Sequence, residues 1–209
     1  HAEDCLRDFC LSRGLGDGYK RQDLIGLENN MDPHGLMSAS ISVWVDSLDD
    51  RIRIESVLAE VSTRIAGYSV TESVPREYQN RDWPDGDTSP TLTIGTAMIA
   101  RQDINQAEFF KRWHESHTPL SLKIHPLTRY DRNVVSRVLT VDAPNYHGLV
   151  FESVKSLEIL SSVEYFYGND KNREIAINDL LSFVDLSQMA TKPMTETIVK
   201  SAPWRRHSQ

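Results

Sequence analysis

The feature that most restricts the possible folds is an internal repeat. Each half of the chain contains a His-Gly-Leu segment that opens a predicted strand, a Ser-Leu pair that starts a predicted helix, and a Thr-Glu pair in the strand after that helix. The first half has Pro33-His34-Gly35-Leu36, Ser47-Leu48 and Val70-Thr71-Glu72-Ser73; the second has Tyr146-His147-Gly148-Leu149, Ser156-Leu157 and Met194-Thr195-Glu196-Thr197. Because the three matches occur in the same order, the sequence predicts two copies of one structural unit.

Hydrophobic spacing assigns strands and helices to each unit. Residues 39–45 alternate between apolar and small polar side chains, which is typical of a strand with one buried face. Apolar residues recur at helical spacing from Ile54 to Ile65, and Gly67 is a helix-ending signal. The predicted strands are 19–27, 35–45, 68–74, 92–100, 130–141, one opening at 146, and 195–200; the predicted helices are 47–67, 105–123, 157–167 and 173–184. The complete unit is therefore strand, helix, strand, strand, helix, strand.

The repeat divides the chain into two halves joined by a polar segment rich in turn-forming residues. The sequence predicts an N-terminal half at 1–78, a linker at 79–90, a C-terminal half at 91–203 and a tail at 204–209. Tyr19 is matched with Tyr130, and carrying the repeat further back towards the N-terminus sets His1 against His117. On that alignment the first unit starts inside its first helix and is truncated. A tag histidine at position 1 is the alternative.

The sheet of one such unit has an apolar face that needs a cover. We expect the two antiparallel sheets to pack face to face, with the helices outside and a cavity inside. The predicted class is therefore α+β, with two βαββαβ units closing as one α/β barrel.

Composition and charge restrict the kinds of partner. The chain has a net charge of −7, and its basic residues form no dense run before Arg205 and Arg206, so neither nucleic acid nor an anionic membrane is expected. No apolar stretch reaches the length of a transmembrane helix. Cys5 and Cys10 do not form a disulfide framework, which favours reduced thiols and a cytoplasmic location.

Motif spacing argues against metals and nucleotide cofactors. The sequence contains no metal-ligand motif of histidines or cysteines, no glycine-rich phosphate loop and no serine-hydrolase elbow. We therefore predict a protein without a cofactor or a metal site, in which ionisable side chains perform any chemistry.

The best candidate for that chemistry is His117. It shares a helix face with Trp113, and because this face is apolar, His117 should line the wall of the barrel cavity while His114 lies nearer to solvent. A partly buried imidazole can serve as a general acid or base near neutral pH. A histidine that only completes a hydrogen bond in the core is the alternative.

The other candidates lie mostly on predicted strands. His147 and His34 stand at equivalent strand starts beside glycines, where side chains line the edges of pockets. Structural turn histidines are the alternative for both. The remaining candidates are Tyr130, Tyr19, Asn133, Glu152, Trp44 and His1.

The helix around His117 also carries a family resemblance. Residues 109–120 (Phe-Phe-Lys-Arg-Trp-His-Glu-Ser-His-Thr-Pro-Leu), together with Leu127-Thr128-Arg129-Tyr130, resemble the EthD-like family of the dimeric α/β-barrel superfamily. The resemblance implies ferredoxin-like units, here in tandem within one chain, and it raises the expectation that His117 is functional. It departs at His34 and His147, where the family more often has Asp. Relatives in the superfamily include cofactor-free monooxygenases, isomerases, dehydratases, decarboxylases and haem proteins, so the resemblance is more specific for fold than for chemistry.

These observations lead to a first hypothesis, a cofactor-independent lyase or isomerase. It would dehydrate, decarboxylate or otherwise move protons on a small apolar, oxygenated or aromatic molecule, with His117 as general acid or base and His147 and Tyr130 polarising a carbonyl or hydroxyl. The second hypothesis is a cofactor-free monooxygenase or a haem-binding relative. The third is a non-catalytic carrier of a hydrophobic ligand. Two fused units allow a monomer with an internal pseudo-dimer, or a homodimer.

Overall fold

A computed structural model describes residues 37–201, and the course of the backbone for residues 6–14. The strands are β1 (Leu6–Gly14), β2 (Ala39–Val45), β3 (Tyr68–Arg76), β4 (Thr88–Met98), β5 (Arg129–Val138), β6 (Gly148–Val154) and β7 (Ala190–Lys200). The helices are α1 (Arg51–Val61), α2 (Gln106–Lys111), α3 (Thr118–Ile124), α4 (Leu157–Leu160), α5 (Val163–Tyr167) and α6 (Asp170–Leu181). A 3-10 turn (Leu48–Asp50) precedes α1, and a π-helical segment (Arg112–His117) joins α2 to α3.

The strands form one antiparallel sheet in the order β2-β1-β7-β4-β6-β5-β3. Within it, the chain from β4 to β7 runs strand, helix, strand, strand, helix, strand, and its strands lie side by side in the order β7-β4-β6-β5. This is the ferredoxin-like arrangement, and it confirms the predicted α+β class.

The strands of the first half pair as their counterparts in the second half do. In β1, Arg13 pairs with Ala39 of β2 and with Thr195 of β7; in β5, Val134 pairs with Gly148 of β6 and with Thr71 of β3. The two threonines are those of the repeated Thr-Glu pair. The repeated sequence therefore corresponds to a repeated pattern of strand pairing.

The pairing corrects part of the sequence alignment. β2 ends at Val45 and β6 at Val154, each two residues before the repeated serine, so Ala39 rather than Gly35 corresponds to Gly148. β1 also holds the position in the sheet that corresponds to β5. The strand that matches β5 is therefore β1, earlier in the chain than the predicted match at Tyr19. The predicted strand at 19–27 lies outside the described residues.

The main core lies between the helices and one face of the sheet. Leu92, Ile94 and Met98 of β4 pack there against the helical residues Phe109 and Trp113, both of which are fully buried. Alternation with a period of two explains which residues of β4 face this core, because every second side chain of a strand points to the same face. In β4 the apolar even-numbered residues point to the helices, and the intervening Thr93 points to the other face.

That other face is concave and polar. Ser42 and Trp44 of β2 line the same small cavity, of about 20 Å³, as Arg129, Asp131 and Asn133 of β5. Four strands separate β2 from β5 in the sheet order. The sheet must therefore curve strongly to bring these side chains together.

Three element boundaries differ from the predictions. Helix α1 ends at Val61 rather than near Gly67, and none of its residues is buried, so tertiary packing does not extend it. Strand β4 begins at Thr88, inside the predicted linker, because Thr88 pairs with Thr197 of β7. The last strand begins at Ala190 rather than at Thr195. Within the described part of the chain, no helix is long and apolar enough to cross a membrane.

Candidate functional site

The larger cavity lies between the sheet and the helices. It has a volume of about 110 Å³, and its lining is mostly apolar. The polar groups on its wall come from His117, His125, Tyr130, Tyr167, Glu152, Thr96, Thr191 and the indole of Trp113. We call it the helix–sheet pocket. It is the kind of concave apolar site, with a few polar groups, that small ligands occupy.

His117 is held in this pocket by a carboxylate. Its Nδ1 lies 2.8 Å from Oδ2 of Asp179 on α6, and its side chain is only 14% exposed. The hydroxyl of Ser116 donates to the other carboxylate oxygen at 2.5 Å. Phe183 packs against the edge of the imidazole at a ring distance of 5.3 Å. The position and the tautomer of the imidazole are therefore set by its neighbours.

Asp179 is charged where it faces His117. Burial acts to raise the pKa of this carboxyl, but the hydrogen bonds from His117 and Ser116 outweigh it and hold the pKa below its ordinary value. The ionised Asp179 accepts a hydrogen bond from the Nδ1–H of His117, so the lone pair on Nε2 is the basic site of the imidazole.

Tyr130 presents a neutral phenol. It is 1% exposed, and its hydroxyl lies 3.4 Å from Oγ1 of Thr118. Burial, and secondarily the charge of Glu152, raise the pKa of Tyr130 well above that of a free phenol. At neutral pH this group therefore remains protonated and is suited to donating a hydrogen bond to a ligand oxygen.

Trp113 forms the apolar end of the pocket. Its ring is fully buried, and its Nε1–H interacts with the hydroxyl of Tyr130, which acts to lower the pKa of that phenol against the larger effect of burial. A Cβ at Gly148 would lie 2.5 Å from two atoms of this ring, so the absence of a side chain at Gly148 makes space for the indole. The indole and the phenol therefore form one polar pair on the wall of the pocket.

His125 and Glu152 supply two more polar groups. Nδ1 of His125 lies 3.8 Å from Oε1 of Glu152, which is beyond hydrogen-bonding distance. The imidazole stacks on Phe166 with a ring distance of 4.2 Å and an interplanar angle of 25°. Both of its ring nitrogens are buried without a partner in the described structure.

The structure corrects the predicted location of the site. We expected His117 at the wall of a cavity between two sheets, but the helix–sheet pocket lies on the opposite face of the sheet. The reason is that Trp113 and His117 pack onto the face of β4, β5 and β6 that bears Met98 and Tyr130. The helices thus cover the pocket instead of surrounding a barrel that contains it.

His147 lies outside the lining of the pocket. Its Nδ1 accepts a hydrogen bond from the backbone N–H of Ala100 at 3.2 Å, and its ring packs against Phe109 at 5.6 Å. Burial lowers the pKa of the imidazole, which keeps it neutral. These contacts give His147 a structural role. Its catalytic role remains a prediction.

The remaining predicted residues are distributed over the molecule. His114 stacks on Phe110, at 5.7 Å and outside the pocket lining, and its Nε2 is buried rather than near solvent. Burial, and then the charge of Arg132, lower the pKa of His114. Asn133 and Trp44 line the small cavity on the concave face. His1, Tyr19 and His34 lie outside the described residues.

Sequence reasoning identified neither Asp179 nor His125 as a site residue. Asp179 is one of several acids on an exposed-looking helix, and it is distant from His117 in the sequence. The feature that could have identified His125 as a pocket residue is its position directly before Pro126. Helix α3 ends there, and the residue that follows it can turn inward. In the described ranges, no group of three or more His, Cys, Asp or Glu side chains could hold a metal ion.

Comparisons with known proteins support the fold. No protein-family model matches the chain, and no curated protein does. Among solved structures, the chain is similar to one described as "Crystal structure study of anthrone oxidase-like protein". The TM-score is 0.58 with 9% sequence identity, and the match covers 93% of this chain and 79% of the other. At this identity the likeness establishes the general fold.

Proposed function

We propose that the protein is a cofactor-independent oxygenase that acts on a small oxygenated aromatic molecule in the helix–sheet pocket. One observation carries the proposal: His117, hydrogen-bonded through Nδ1 to Asp179, lines a mostly apolar pocket. A carboxylate on Nδ1 orients an imidazole as a base, and an apolar lining strengthens the electrostatic interactions beside it.

The chemistry needs a base and molecular oxygen. Nε2 of His117 removes the proton of a phenolic hydroxyl, and the electron-rich ring carbon of the phenolate bonds to one atom of O₂. The peroxide anion formed in this way takes up a proton and becomes a hydroperoxide. The hydrogen on the newly oxygenated carbon then leaves as a proton, and the O–O bond breaks with release of water. The sum is phenol plus O₂ to quinone plus water, so O₂ accepts the four electrons that the substrate loses.

Tyr130 and Trp113 would orient the substrate. The neutral Tyr130 hydroxyl is able to donate to a substrate oxygen, and the Nε1–H of Trp113 supports it from the side of the phenolic oxygen. Phe166, Leu160 and Met189 contribute apolar wall that would contact a flat ring. A substrate bound there would be positioned by its oxygens and held by its hydrophobic surface.

Pocket size selects the substrate class. A buried cavity of about 150 Å³ accommodates benzene in another protein; the helix–sheet pocket is smaller, at about 110 Å³, but it is partly open to solvent, so a single ring is the upper limit of what it would admit. We therefore propose a single aromatic ring. Such a volume does not admit a haem macrocycle, which makes a haem-binding protein the weaker of the predicted alternatives.

The similar solved structure supports oxygen chemistry over a lyase reaction, because that protein is described as anthrone oxidase-like. A second candidate function nevertheless shares the same base. Proton abstraction by His117 without oxygen would give the lyase or isomerase chemistry that the sequence first suggested.

We further propose that the curved sheet is a barrel of two ferredoxin-like units, of EthD-like type, within one chain. The equivalent strand registers of β1 and β5 support it, as does the shared cavity on the concave face. In this arrangement the predicted pseudo-dimer is internal, so the complete pocket belongs to a single chain.

The experiment measures oxygen uptake and substrate loss with phenol, resorcinol and phloroglucinol, with heat-denatured protein as the blank for autoxidation. We expect uptake with at least one of the three. His117→Ala should reduce it by about 10²- to 10⁴-fold, the range for loss of a general base. Asp179→Asn should reduce it by about 10-fold or more, because the imidazole loses its orienting carboxylate.

Asp103→Asn is the matched control, since it neutralises an exposed carboxylate that pairs with the exposed Arg101. It should leave uptake unchanged. Substrate loss that continues at the same rate without oxygen would replace the oxygenase with the lyase or isomerase. Binding without any turnover would contradict both and favour a carrier.

A further inference from the structure

One imidazole in the helix–sheet pocket remains unexplained by the proposed reaction. His125 ends helix α3, where its backbone N–H donates to the carbonyl of Ser121 at 2.8 Å. Its side chain is 8% exposed and is held between two rings, stacked on Phe166 and edge-on to Tyr167 at 5.2 Å. The ring is thus fixed in place, while both of its nitrogens are buried without a hydrogen-bond partner in the part of the chain that the structure describes.

Such a group is unfavourable unless something pairs with it. A buried nitrogen without a partner loses its hydration and gains nothing in return. His125 and Glu152 both line the cavity. The Glu152 side chain, 15% exposed, supplies an acceptor beside the imidazole, and the two groups together suit a polar atom that belongs to a ligand.

The spacing of the pair fits a hydroxyl group. Nδ1 of His125 and Oε1 of Glu152 lie 3.8 Å apart. An oxygen placed about 2.8 Å from each atom completes a triangle of normal hydrogen bonds. A hydroxyl accepts one hydrogen bond and donates another, so it could accept from the imidazole and donate to the carboxylate.

The pair is distant from the proposed base. His117 immediately precedes helix α3 and His125 immediately follows it, so the two imidazoles stand at opposite ends of this helix. A molecule that contacts both histidines must therefore extend along the pocket and carry a polar atom at each end.

We propose that His125 and Glu152 form a second hydroxyl-binding site, which selects aromatic rings that carry two oxygen substituents. One oxygen lies at His117 and Tyr130, and the other lies between His125 and Glu152. This inference rests on the proposed function for the first oxygen, and it adds the specificity for the second. The preferred probe among single-ring molecules is then resorcinol rather than phenol.

The test is a binding measurement, which does not depend on turnover. Isothermal titration under argon compares resorcinol, phenol and toluene on the full chain. We expect resorcinol to bind about 10-fold or more tightly than phenol, as is typical of a hydrogen bond to a charged group. His125→Phe keeps the ring stacked on Phe166 and removes both nitrogens, and it should abolish that preference while phenol binding changes by less than about 2-fold.

Two further variants separate a binding role from a structural one. Glu152→Gln keeps the size of the side chain and should also reduce the preference for resorcinol. His125→Gln restores a donor and an acceptor, and should recover part of it. Equal binding of the three probes by the unaltered protein overturns the inference, and so does a preference that persists in folded His125→Phe or Glu152→Gln.

The two proposals fail in different ways. If resorcinol is preferred and the preference depends on His125, but no oxygen is consumed, the second site stands and the oxygenase does not. If phenol and resorcinol are oxidised and bound equally well, the oxygenase stands and the second site does not.

Discussion

At the scale of single residues, Gly148 decides whether the pocket keeps its shape. A methyl group there would lie 2.5 Å from two carbon atoms of the buried Trp113 ring. A large rigid ring that is fully buried has little room to move, and over-packing of this kind costs about 1–3 kcal/mol. Gly148→Ala should therefore lower the free energy of unfolding by that amount and alter the near-ultraviolet circular dichroism of the tryptophans.

Gly95→Ala is the matched control on the neighbouring strand. A Cβ at Gly95 would approach the terminal methyl of Met194 at 2.6 Å, and this flexible side chain can turn away. The control should cost less stability than Gly148→Ala. If the two substitutions cost the same, the space beside Trp113 is not the reason that position 148 requires glycine.

Residue-scale prediction from the sequence reached about half of the candidate site. His117 is predictable because Trp113 fixes an apolar helix face, and Tyr130 because it lies in a strand with alternating character. Asp179 is not predictable in this way, because the spacing of the acidic residues in α6 does not distinguish the carboxylate that contacts an imidazole on a distant helix. Only the packing of α6 against the π-helical segment supplies that information.

At the scale of elements, the start of β6 depends on His147. Its backbone N–H donates to the carbonyl of Met98 at 2.8 Å, and its side chain accepts from Ala100 at 3.2 Å. His147→Ala leaves the Ala100 N–H without that partner and removes a ring from the core. We expect the free energy of unfolding to fall by about 1–3 kcal/mol with oxygen uptake unchanged, as urea unfolding and the uptake assay would show.

The opposite result would support the catalytic assignment made from the sequence. A His147→Ala protein that is as stable as the unaltered one but has lost oxygen uptake would place this imidazole in the reaction. His147→Asn, which keeps a short acceptor near Ala100, should recover stability in the first case and not recover activity in the second.

Element types are predictable because the apolar period differs between strands and helices. The π-helical segment Arg112–His117 is not, since one wide turn shifts that period too little to be recognised. It ends at Thr118, whose hydroxyl donates to the carbonyl of Trp113 at 2.9 Å. This turn sets the angle between Trp113 and His117, so the local geometry of the site is beyond the sequence pattern.

At the scale of the whole molecule, the concave face makes stability depend on pH. Asp131 is buried there against Arg129 at 3.0 Å. Burial, opposed by Arg129 and reinforced by the charges of Glu72 and Glu196, raises the pKa of Asp131 to about 7. An unfolded aspartate titrates near 3.9, so between about pH 4 and pH 7 the native state holds the additional proton.

The direction of the pH effect is set by that proton. Because the native state binds more protons than the unfolded state in this window, Asp131 contributes stability that is complete below about pH 4 and is lost as the pH rises to about 7. The slope is at most about 1.4 kcal/mol per pH unit. Asp131→Asn should remove this part of the slope in urea unfolding measured across the window.

Asp103→Asn again serves as the control, since an exposed carboxylate should leave the slope as it is. A slope that is the same in Asp131→Asn and in the unaltered protein would show that Asp131 does not carry the proton. The number of strands could be anticipated from the hydrophobic pattern, but neither their order in one sheet nor the sharing of this cavity by β2 and β5 could. Curvature arises from the twist of all seven strands together.

Strand β5 contributes different kinds of side chain to the two faces of the sheet. Tyr130 points to the helices, while Arg129 and Asp131 on either side of it point to the concave face. Inserting or deleting one residue before Tyr130 would exchange these positions, sending a guanidinium into an apolar core and a phenol into an ionic cluster. Length changes in β5 should therefore be far less tolerated than substitutions, and homologous chains would differ there in residue identity but not in residue number.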